Sequence, residues 1–273
     1  MQGSELYRTK QIFEKTWAID ENGSDLMYLV CGNKKSLLID TGYGIGDLPN
    51  IIATLSPLPL IVMNSHGHPD HTLGNSFFKR VYIHKADKPF VDTPPSLETK
   101  QWMLENVLQH TFPKQLVNSV NLNTWAAKLP SVVSLEEGYV FNLGNRHLEV
   151  INIPGHTPGS VCMLDKENRL LFTGDTIQNP TWLHLKESLP LSHFHKNLKS
   201  LQSRMDEFDF ILPGHANLDS LPLPSTLINE FVSGIEKILS SELVGHEEKT
   251  FAGNGFRCNF GSSGIVYRPD RMR

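Results

Sequence analysis

Within the run His66-Gly67-His68-Pro69-Asp70-His71 stand three imidazoles and a carboxylate, in a chain with only 12 histidines among 273 residues. In an extended segment alternate side chains share a face, so His66 and His68 can both reach one ion. Proline suits the first helical turn, and a helix starting near Pro69 points Asp70 and His71 in other directions, toward a second ion. The chemistry on offer is metal-assisted hydrolysis. Two cations about 3.5 to 4 Å apart can share a water, lower its pKa toward neutrality and present the bridging hydroxide to an electrophilic carbonyl or phosphorus. No serine or cysteine nucleophile is then required.

One segment does not fill two coordination spheres, so the remaining ligands must come from elsewhere. Three isolated candidates stand beside glycines that let the backbone approach closely: His156 in PGHTPG, Asp175 in FTGDT and His215 in PGHA. With the cluster they make five imidazoles and two carboxylates without a thiolate. That donor set favours zinc, with iron or manganese as substitutes. Asp175 is the natural bridging carboxylate. The bland reading of the cluster, helix-capping and surface polar residues, fails on its agreement with the three other segments. Asp40 is different, because an Asp ending a strand before Thr41-Gly42 can simply close a turn.

These residues share a local pattern. LLID-TG, IVMN-SHGHPDH, INIP-GHTPG, LLFT-GDT and FILP-GHA are each a short apolar strand followed at once by a polar, glycine-bearing loop. A rigid sheet holding such loops at one end brings distant residues together. Strands are predicted over 11–19, Leu26–Cys31, Ser36–Ile39, Leu60–Met63 and 81–84, with a helix at Leu48–Leu55. The polar stretch 85–130 reads as an insertion with helices around 98–109 and 113–120. Strands follow at 139–141, 147–153, 160–164, 170–172 and 208–212, with a helix at 195–205. One helix, Leu227–Leu239, and one closing strand, 264–267, complete the chain. No linker or repeat divides it, which predicts a single domain over 1–273.

In their order, SHGHPDH, GHTPGS, FTGDT and PGHA, preceded by LLIDTG, resemble the metallo-β-lactamase superfamily of binuclear hydrolases. The resemblance implies an α+β fold, a four-layer αββα sandwich with the metals at one edge between the sheets. It also implies roles: His66, His68 and His156 on one metal, Asp70, His71 and His215 on the other, Asp175 between them, and Asp40 supporting a ligand from behind. Asp70, an acidic ligand beside the shared water, is then the catalytic candidate for orienting the hydroxide and moving its proton. The insertion would form a lid, and its Phe90, Trp102, Phe112 and Trp125 imply a partly apolar cleft for a small organic molecule. Esters, thioesters, lactones and phosphoesters all suit a metal-bound hydroxide, and the motifs do not choose among them. The same fold also carries iron-dependent oxidation enzymes and non-catalytic metal-binding members; the complete ligand set favours hydrolysis.

Composition bounds the partners. With 25 Lys+Arg against 29 Asp+Glu the net charge is −4, so no basic excess points to nucleic acid or an anionic membrane surface. Cys31, Cys162 and Cys258 are too far apart for a thiolate metal site and read as reduced, buried thiols. Neither a signal-like apolar run nor a bilayer-length stretch occurs, so a cytoplasmic protein is expected. Exposed apolar residues in the lid would suit a homodimer.

Overall fold

Apolar runs bounded by turn residues become the strands that carry the motif loops. The computed structural model describes residues 6–273, and its contacts fall into two units. The first takes the chain up to Leu135 with 141–146 and 217–219, and the second takes 136–140, 147–216 and 220–273.

The first unit holds a seven-stranded sheet in sequence order: β1 (Tyr7–Phe13), β2 (Thr16–Glu21), β3 (Leu26–Cys31), β4 (Ser36–Ile39), β5 (Leu60–Met63), β6 (Arg80–His84) and β7 (Ser131–Leu135). β1 to β4 pair antiparallel and β4 to β7 parallel. β3 and β4 are buried throughout, which is why they read as continuous apolar runs and not as alternation. The crossover from β4 to β5 is α1 (Leu48–Leu55), where the Asp47 carboxylate accepts the Asn50 N–H at 3.3 Å and Leu48, Ile51 and Ile52 face inward. Because β4, β5 and β6 run parallel, the loops after Ile39, Met63 and His84 leave from the same edge, where α/β sheets place their ligands. The loop after β5 runs into the short α2 (Pro69–Thr72).

The insertion is helical, with α3 (Lys88–Val91), α4 (Leu97–Met103), a π-helical turn over Leu104–Leu108, α5 (Gln109–Thr111) and α6 (Lys114–Ser119). Met103, Leu108, Phe112, Val117 and Trp125 pin it into the core of the first unit. The buried Trp125 indole N–H donates to the Tyr43 carbonyl at 2.8 Å.

β8 (Val140–Asn142) is divided between the units. In the second unit β9 (His147–Asn152), β10 (Val161–Asp165) and β11 (Leu170–Gly174) pair antiparallel in succession. β13 (Phe210–Pro213) lies parallel to β11, with β14 (Leu223–Pro224) beside it. Helices α7 (Leu191–Gln202) and α8 (Leu227–Leu239) bury stripes at helical spacing, Leu191, Phe194, Leu198 and Leu201 on one and Ile228, Phe231, Ile235 and Ile238 on the other. They join Ile151, Cys162 and Leu171 in a second core. A further sheet runs β12 (Thr181–Leu183), β17 (Ser263–Tyr267), β16 (Gly253–Phe260), β15 (His246–Thr250).

Several elements differ from expectation. The single strand predicted over 11–19 is a hairpin, turned at Glu14-Lys15 with Lys15 at φ 53°. Lysine does not signal a left-handed turn, so the break was invisible. β7, β12, β15 and β16 were not foreseen. α7 begins at Leu191 and ends at Gln202, ahead of the predicted 195–205. All three cysteines are buried and free. Among the described residues no helix is long and apolar enough to cross a membrane.

Candidate metal centre

In the first unit the hub is Asp40, which follows β4 in left-handed backbone, φ 65°, with 1% of its surface exposed. A non-glycine residue held there is strained and marks a constraint. Its Oδ1 accepts the Ser65 N–H at 2.7 Å. Its Oδ2 accepts the Ser65 hydroxyl at 2.7 Å and the His71 Nδ1–H at 3.0 Å. Since the Ser65 proton goes to Asp40, Ser65 Oγ must accept from His66 Nδ1, 3.0 Å away. One carboxylate thereby places the proton of both histidines on Nδ1 and leaves the Nε2 lone pairs as metal donors.

Those donors face other ligand atoms. His66 Nε2 lies 3.1 Å from His68 Nδ1, and His71 Nε2 lies 3.6 Å from Asp70 Oδ2. The loop is held from behind by Asn64 Nδ2 and Thr41 Oγ1, which donate to the His71 carbonyl at 2.9 and 3.1 Å. Gly67 N–H donates to the buried Asp87 carboxylate at 2.8 Å. A side chain at that point would crowd the insertion, because a Cβ would stand 2.7 Å from Phe90 Cδ2.

In the second unit β9, β11 and β13 point the same way, and His156, Asp175 and His215 follow their ends. His156 Nδ1 lies 2.6 Å from the Trp182 carbonyl, which can only accept, so the ring proton is on Nδ1 and the lone pair on Nε2. That Nε2 is 3.5 Å from Asp175 Oδ2, and His215 Nε2 is 3.4 Å from the same oxygen. The Ser188 hydroxyl donates to the His156 carbonyl at 2.9 Å.

An imidazole lone pair aimed at a carboxylate oxygen sets acceptor against acceptor, at His71 with Asp70 and again at His156 with Asp175. Burial makes that costly, and a divalent cation converts it into coordination. The nitrogen and oxygen donors present therefore fit a zinc-type ion.

Of the predicted site residues, His66, His68, Asp70, His71 and Asp40 come together in the first unit and His156, Asp175 and His215 in the second. Ser65, Asp87 and the Trp182 carbonyl were missed. Ser65 opens the SHGHPDH run and could have been noticed; Asp87 offers only its place after β6, and a carbonyl leaves no trace in sequence. Other histidines make contacts of a structural kind. His84 accepts the Ala86 N–H at 3.3 Å and His147 pairs with Glu167 at 2.9 Å. Burial pushes the His184 pKa down, and its Nε2 meets Thr250 Oγ1 at 2.9 Å.

A buried acid lies near Asp70 in the first unit. Glu21 is fully buried, accepting the Tyr43 N–H at 2.7 Å and the Tyr7 hydroxyl at 3.1 Å. Desolvation raises its pKa to about 7, and the charge of Asp70 adds to the rise.

Comparison with known proteins agrees with this geometry. A family model described as the metallo-beta-lactamase superfamily matches residues 22–215. The acyl-coenzyme A thioesterase MBLAC2 of Gallus gallus is 29% identical over 227 residues, 76% of this chain and 78% of that one. Its counterpart in Homo sapiens is 29% identical over 205 residues, 70% and 72% of the two chains. A solved metallo-beta-lactamase family protein of Thermus thermophilus aligns with TM-score 0.61 at 19% identity, covering 85% of this chain and 82% of its own. At that identity the likeness bears on fold, and the expected α+β fold of this kind is borne out.

Proposed function

The chain belongs to the metallo-β-lactamase superfamily, and on that premise we propose that it is a metal-dependent hydrolase of ester-type bonds whose substrate is a small acyl thioester. His66, His68 and His156 would hold one ion and Asp70, His71 and His215 the other, with Asp175 as the carboxylate shared between them. Zinc is the expected ion. When bound, the pair supplies an acidified bridging water and the positive charge that stabilises the developing oxyanion. The chain's own residues do the rest: Asp40 and Ser65 fix the ring protons of His71 and His66, the Trp182 carbonyl fixes that of His156, and Asp70 orients the water and takes up its proton. In the overall reaction water adds to the thioester carbonyl, the C–S bond breaks, and an acid and a thiol leave.

The observation that carries this reading is the set of Nδ1 contacts behind His66, His71 and His156, which prepare Nε2 for a cation in each case. Thioesters stand first among the ester-type bonds because the MBLAC2 relatives are named as acyl-coenzyme A thioesterases. In this reading 1–273 works as one domain with 85–130 as its lid, and nucleic acid is no part of it. Three buried thiols suit a reducing compartment such as the cytoplasm. The exposed Leu97 and Trp102 suit a homodimer, which sedimentation would detect. The activity is tested by adding zinc to metal-stripped protein and following thiol release from acetyl- and hexanoyl-coenzyme A. Return of thiol release with zinc is expected; its absence with every acyl donor overturns the assignment.

A further inference from the structure

A cavity of about 70 Å³ adjoins the histidine loop within the first unit, walled by Gly67 and Pro69 on one side and by Phe90, Pro94, Ala126 and Leu129 of the insertion on the other. It is no remote pocket. Gly67 lies between His66 and His68, and the Phe90 ring stands 6.4 Å from that of His68. The polar atoms on its floor are already engaged. Thr72 Oγ1 donates to the His68 carbonyl at 2.9 Å, Asn75 Nδ2 to Asn64 Oδ1 at 2.8 Å, and Ser76 Oγ to the Leu73 carbonyl at 3.3 Å. What the cavity offers a ligand is more carbon than polar surface, with Thr93 and Lys128 adding polar groups to its walls.

We propose that this cavity seats the acyl chain of the substrate, a refinement that rests on the thioesterase reading. Charge chooses between the two ends of such a molecule. A coenzyme A group brings phosphates that need several cations, whereas Lys128 is the one cation among the lining residues. The acyl end needs only apolar walls, and Gly67 and Pro69 keep its carbonyl beside the ligand loop. By the measure in which a water needs about 10 to 15 Å³, the space takes roughly five to seven waters, or a chain of about six carbons. The enzyme therefore selects short to medium unbranched acyl groups, and the insertion sets the limit.

The test uses the metal-loaded protein with two series spanning two to twelve acyl carbons: acyl-coenzyme A substrates for turnover and non-hydrolysable S-alkyl-coenzyme A thioethers for calorimetric binding. Affinity is expected to rise about fourfold per added methylene, the factor for burying one CH₂, and to level off near six carbons. Leu129 and Phe90 are both partly exposed, so Leu129→Asp and Phe90→Ala should fold, and both should flatten the slope. Affinity indifferent to chain length, or a slope that survives in both variants, overturns the proposal. Turnover without length dependence removes the cavity's role and leaves the thioesterase standing. Length-dependent thioether binding without turnover of any acyl donor does the reverse.

Discussion

Asp40 accepts three hydrogen bonds, two from Ser65 and one from His71, and through them sets which nitrogen of two histidines carries a proton. Asp40→Asn puts an amide N–H₂ where an acceptor is needed, so metal affinity should fall about 10- to 100-fold in competition with a chelator, with the fold retained. Asp70→Ala should lose nearly all turnover and much of the second ion; a variant with wild-type rate and metal content contradicts the role given to Asp70. Glu21 makes a pH prediction. Its folded pKa, about 7, stands above the ordinary 4.5, so the folded state holds this proton the more tightly. The stability it contributes is complete below about pH 4.5 and is lost as pH rises through 7. Glu21→Gln removes the titrating proton and keeps an oxygen for the Tyr43 N–H, while its amide N–H₂ donates to a Tyr7 hydroxyl that turns to accept it. Urea midpoints of wild type, compared with the variant, should therefore decline across that window. The ligand residues were legible because imidazoles at spacing two after an apolar strand have few other uses. The Asp40 network was not, because 25 residues separate it from Ser65 and 31 from His71.

Elements were legible where burial wrote itself into the pattern. The fully buried β3 and β4, α1 and the strand before the histidines were read at their observed bounds. β15, sequence HEEKT, is largely exposed, and β7 is an edge strand of its sheet. Such strands are held by a partner and leave a weak apolar signature. The Glu14-Lys15 turn carries no Gly, Asn or Pro to announce it. The insertion reads as helical, and of the two roles open to Trp125, lining a cleft or anchoring a helix in the core, the sequence favours the second. It does the latter: Trp125→Ala should cost about 3 to 5 kcal/mol of unfolding free energy in urea, the usual range for a buried tryptophan. A variant within about 0.5 kcal/mol of wild type would mean the insertion is not anchored there.

At the scale of the molecule, each unit has its own apolar core and its own set of candidate ligands after its parallel strands. A metal held by these ligands would bind the folded chain and not the unfolded one, so a chelator should lower the thermal midpoint as well as the rate, and added zinc should restore both. Whether a pair of divalent ions carries the hydrolysis is tested most directly by one titration: metal-free protein is loaded stepwise with zinc while bound metal and thiol release from hexanoyl-coenzyme A are measured on the same samples. The prediction is that activity climbs with occupancy and saturates at two ions per chain. Full activity without metal, or a single redox-active iron whose turnover consumes oxygen, would contradict it.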